Sequence, residues 1–92
     1  MANDVITNDE SQTFVIAEMN TARFMFRGAG RDRAAARAAV LRAWQTHRNV
    51  LLSLYPDRTD SIPDETQMEQ HFTIYYQEYA LDGGYRDGQR LI

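Results

Sequence analysis

The sequence predicts a small α+β domain: a three-stranded antiparallel sheet with one long helix packed on one face, in the order β-β-α-(short α)-β. Three observations lead there. Two short β-prone runs joined by a turn-prone pair open the chain, an Ala/Arg-rich stretch with apolar residues three and four apart follows, and an aromatic, β-branched run comes after it. A chain of 92 residues has room for one core and no second domain.

Residues 1–12 are polar and acidic without period, and read as a disordered N-terminal segment ahead of a single domain spanning 13–92. The first strand is Thr13 to Met19 and the second Ala22 to Arg27, with Asn20-Thr21 as the turn. That turn places Val15, Ala17 and Met19 opposite Phe26, Phe24 and Ala22 on a core face. Phe14, Ile16 and Glu18 then share the other face with Arg27, Met25 and Arg23, and a one-residue slip would interchange the two. Gly28-Ala29-Gly30 is expected to break the strand.

The helix is predicted over Asp32 to Leu54. Ala36, Val40, Ala43, Trp44, His47, Leu51 and Leu54 form its apolar stripe, Arg37 and Arg48 stand at the stripe's edge, and Pro56 stops it. Ser61-Ile-Pro-Asp64 reads as the start of a short helix to about Gln70, with proline in the first turn and Asp64 and Glu65 at the positive end of the dipole. Phe72 to Tyr79 is preferred as the third strand, although Met68, Phe72, Tyr75 and Tyr79 also fit a longer helix. As a strand it points Phe72, Ile74 and Tyr76 one way, and Tyr75 and Tyr79 the other. Turns follow at Asp82-Gly83-Gly84 and Asp87-Gly88, and Leu91 and Ile92 either dock on the core or meet a partner.

Charge is strongly segregated. Residues 1–20 sum to −4, residues 21–50 to +6 and residues 51–92 to −5, which hides inside a net −3. All 10 basic residues are arginine, whose fork suits phosphate, carboxylate and aromatic partners, although a GC-rich genome would produce the same bias. The absence of cysteine removes disulfides and thiolate chemistry and fits a reducing, cytoplasmic setting. No apolar run is long enough to span a membrane, and the first residues lack the pattern of a signal peptide.

Catalytic, metal and cofactor motifs are not found. His47 falls in the helix stripe as a structural histidine, and Glu69-Gln-His71 lacks metal-ligand spacing. Gly28-Ala29-Gly30 beside Arg27, Arg31 and Arg33 could contact an anion at the helix start, against the plainer reading of solvated arginines. Uncovered on one side, the sheet would show more apolar and aromatic surface than a monomer normally leaves in water. The candidate partner-binding residues are therefore Arg23, Arg27, Arg31, Arg33, Asp64, Glu65, Tyr75 and Tyr79.

In type, the compact cysteine-free chain with acidic ends and a sheet-plus-helix pattern resembles the small inhibitors encoded by phages and other mobile elements, the anti-CRISPR proteins in particular. The likeness covers the whole chain in size and style and assigns no functional positions. It implies stoichiometric, non-enzymatic binding to a CRISPR-Cas effector complex in the bacterial cytoplasm, blocking nucleic-acid recognition with or without direct contact to RNA or DNA. The alternative is a small nucleic-acid-binding or regulatory domain using the basic segment Arg23 to Arg48.

Overall fold

The computed structural model describes residues 13–92, so the expected disordered segment 1–12 lies outside the described residues. The strands β1 (Thr13–Asn20), β2 (Met25–Gly30) and β3 (Ile74–Ala80) form an antiparallel sheet in the order β2-β1-β3. The first strand is therefore the central one. The helix α1 (Arg33–Leu54) packs across β1 and β2, the short α2 (Glu65–His71) lies beside it, and a 3-10 turn, Pro56–Arg58, separates them. The domain is α+β, as the three sequence patterns require, and the aromatic run resolves as strand rather than continued helix.

The β1–β2 register differs from the expected one by four residues: Met19 faces Phe26, not Ala22. A hydroxyl is responsible. Thr21 N–H donates to the Phe24 carbonyl at 2.9 Å and the Phe24 N–H donates to Thr21 Oγ1 at 3.1 Å, closing a longer loop with Asn20 and Met25 as the last strand pair. Ala22, Arg23 and Phe24 thus belong to the loop. Because the shift is even, every remaining side chain keeps its expected face. Val15, Ala17 and Met19 are buried, opposite Gly30, Gly28 and Phe26.

Gly28-Ala29-Gly30 does not break the strand; it is the end of β2. A Cβ on Gly28 would lie 2.3 Å from the Val40 backbone nitrogen, and one on Gly30 would lie 2.4 Å from that of Ala36. The two glycines are the floor on which the alanine-rich face of α1 rests. Close helix-to-sheet contact needs hydrogen on one side and small side chains on the other, and the sequence supplies both.

Along α1, Ala36, Val40, Leu41 and Trp44 are buried, whereas Leu54, expected in the stripe, is 65% exposed. At 22 residues the helix runs about 33 Å, longer than the six-residue β2 beneath it, so its last turns overhang the sheet. Leu41 was not expected in the core. It lies on the row Arg37, Leu41, Trp44, Arg48, which faces α2 and the loop before it. Along that row Arg37 pairs with Glu69, Trp44 Nε1–H donates to the Pro63 carbonyl at 2.8 Å, and Arg48 Nε–H donates to the Ile62 carbonyl at 3.1 Å.

Both helices start on aspartate. Asp32 accepts from the Ala35 N–H at 2.8 Å; Asp64 accepts from the Gln67 N–H, and Gln67 Oε1 in turn accepts from the Asp64 N–H, each at 2.9 Å. Pro63 therefore precedes the cap instead of sitting in the first turn. After β3 the chain turns at Asp82 and forms a hairpin of β4 (Tyr85–Arg86) and β5 (Gln89–Arg90) around Asp87-Gly88, both at positive φ, 52° and 81°. Among the described residues no helix is long and apolar enough to cross a membrane.

Candidate functional site

The sheet face opposite α1 is assembled by strand alternation. Phe14, Ile16 and Glu18 on β1 lie beside Tyr79, Gln77 and Tyr75 on β3, and Ile16 and Glu18 beside Ala29 and Arg27 on β2. All of these but Ala29 line a shallow depression of about 510 Å³. Across it Arg27 Nε meets Glu18 Oε1 at 3.0 Å, and Glu18 Oε2 accepts from Asn20 Nδ2 at 3.1 Å. The guanidinium stays largely in water, so the pair orients the two side chains more than it stabilises the fold.

The face is not uniformly open. The C-terminal hairpin folds onto one end, where Gln77 Nε2 donates to the Gly88 carbonyl at 3.1 Å. Tyr85 stands edge-on to Tyr79 at 4.8 Å between centroids, Tyr79 stacks on Phe14 at 5.5 Å, and the Ala80 N–H donates to the Tyr85 hydroxyl at 2.6 Å. Tyr79 is consequently half-buried, a structural tyrosine in a three-ring stack. At the opposite end Tyr75 and Met25 are 60% and 54% exposed. Leu91 and Ile92 dock not on the core but against Gly84, through the Leu91 N–H to the Gly84 carbonyl at 2.7 Å.

The arginines expected to act together are separated. Arg23 is in the β1–β2 loop, while Arg31 and Arg33 follow the far end of β2, a strand about 20 Å long. Arg27 projects from the open face. Arg33 lies over the Tyr76 ring, 4.9 Å from its centroid, on the core side of the sheet. The glycines beside them are consumed by contact with α1, and in the first turn of α1 the Ala35 N–H is already taken by the Asp32 side chain. Of the two acidic candidates, Asp64 is committed to capping α2 and Glu65 occupies its first turn.

His47 sits among aromatic rings, its centroid 5.1 Å from Phe24, 5.5 Å from Phe26 and 5.6 Å from Trp44. His71 ends α2 in solvent. Among the described residues no three His, Asp or Glu side chains come together as a metal site. Sequence reasoning missed two features: the hairpin's cover over Tyr79, foreshadowed only by Asp87-Gly88, and an apolar groove around Phe24 and Trp44, whose walls come from four separate segments. Compared with protein-family models, curated proteins and solved structures, the chain matches none.

Proposed function

We propose that this chain is a non-enzymatic, protein-binding inhibitor of the anti-CRISPR type, which seats the sheet face opposite α1 on a nucleic-acid-handling effector complex. The observation that carries the binding role is the exposed Tyr75 and Met25 beside the half-buried Ile16, with the Glu18–Arg27 pair between them. Aromatic and methionine side chains on a rigid sheet, ringed by charge, have the makeup of interface anchors. The effector class rests on the type resemblance and on the segregated acidic and basic segments, which suit a surface that itself handles nucleic acid.

The test is a purified CRISPR effector loaded with guide RNA. The protein, added before target DNA, is expected to suppress DNA binding stoichiometrically and to co-migrate with the effector after nuclease treatment. Unchanged DNA binding across the effector types overturns the reading. Affinity for RNA or DNA alone that falls steeply with salt moves it to the alternative based on Arg23 to Arg48.

A further inference from the structure

A second surface lies away from the sheet face. Where the β1–β2 loop, the second half of α1, the loop at residues 61–63 and α2 with its C-cap Phe72 converge, an open groove of about 630 Å³ runs between Phe24, Leu51, Pro63 and Phe72. Its floor is Trp44 and the buried Met68, and Phe24 on its wall is 53% exposed. The lining holds one arginine and no acid, and that arginine, Arg23, makes no hydrogen bond or ion pair among the described residues. Its fellow cations along the α2-facing row of α1 are already engaged, Arg37 by Glu69 and Arg48 by the Ile62 carbonyl.

Two physical arguments select the occupant. An open trough leaves one side of a small apolar ligand in water, whereas a peptide segment brings its own polar back and inserts only its anchors. An unpaired guanidinium at the mouth of an apolar groove, with no acid in the lining, is complementary to a carboxylate next to those anchors. We propose that this groove binds an acidic amphipathic segment of a partner protein, apolar side chains entering against Phe24, Trp44 and Phe72 and a carboxylate meeting Arg23. It goes beyond the sheet-face reading and uses different residues, so either can fail alone.

Trp44 is the only tryptophan, so its fluorescence reports the groove directly. The full chain is titrated with a synthetic amphipathic helix bearing leucines at i, i+3 and i+7 and glutamates between them, with the same peptide carrying lysines, and with sodium dodecanoate below its micelle concentration. The glutamate peptide is expected to shift Trp44 emission and bind about tenfold more tightly than the lysine peptide, and Arg23→Glu to invert that order. On the unaltered protein, raising salt should compress the difference between the peptides. Equal affinities, an unmoved Trp44 signal or a salt-independent preference overturns the proposal. Saturation by dodecanoate alone reassigns the groove to a small amphiphile, and concentration-dependent self-association that shifts Trp44 reassigns it to a second copy.

Discussion

Gly28 lies directly beneath Val40, so close that a single methyl group on it would be 2.3 Å from the Val40 backbone nitrogen. The same segment therefore contains its own control, because Ala29 points to the opposite, exposed face. Gly28→Ala is expected to lift α1 from the sheet and cost about 3 kcal/mol or more, the upper end of overpacking, since backbone rather than a flexible side chain is in the way. Gly30→Ala should behave alike and Ala29→Ser should stay within about 0.5 kcal/mol. Urea midpoints of the three variants check the pattern, and a destabilised Ala29→Ser with a neutral Gly28→Ala would reverse the assignment of faces.

The two aspartate caps give a second expectation. Asp32→Ala and Asp64→Ala should each cost about 1 kcal/mol, because each orphans a helical N–H that the carboxylate now satisfies at 2.8–2.9 Å. Gln67→Ala, which removes the reciprocal half of the α2 capping box, should cost less than Asp64→Ala. Thermal melts of the three variants decide it. The same reasoning bars Asp64 as an interface probe: reversing its charge would weaken the fold and any complex together.

What could be read from the sequence follows the range of the interaction that decides it. The long helix is written in local periodicity and in Asp32 immediately before it, and the alternation that puts Val15, Ala17 and Met19 inward is equally local. Strand register is not local: it turns on the Thr21 hydroxyl reaching Phe24, and the face assignment survived only because the resulting shift was even. Gly28 and Gly30 were misread for the same reason, since the residues that demand hydrogen there, Ala36 and Val40, come from the helix above. Tyr75 stayed exposed as its strand position implied, while Tyr79 was drawn into the Phe14–Tyr85 stack by a hairpin returning from the chain's end.

That hairpin is a third point of test. Tyr85→Phe keeps the ring against Tyr79 and removes only the hydroxyl that accepts from the Ala80 N–H, so a loss of about 1 kcal/mol is expected. Tyr85→Ala should also free the hairpin from the sheet. Hydrogen exchange read at Ala80 and over residues 85–90 separates the two: faster exchange at Ala80 in both, and across the hairpin only in the alanine variant.

Exposure separates the two tyrosines of the open face, and the difference gives the sharpest expectation for the binding role. Tyr75 is 60% exposed and Met25 54%, so Tyr75→Ser and Met25→Ser should each change stability by no more than about 0.5 kcal/mol. Tyr79→Ser removes the middle ring of the Phe14–Tyr79–Tyr85 stack and should cost about 2 kcal/mol or more. For binding the order reverses: truncating an exposed aromatic anchor at the centre of an interface costs tenfold or more in affinity, at about 1.4 kcal/mol per tenfold. Measured side by side on the effector complex, Tyr75→Ser should therefore lose affinity with its melting temperature intact. If Tyr75→Ser and Met25→Ser bind as the parent does, the sheet face is not the contact surface, whatever Tyr79→Ser does to the fold.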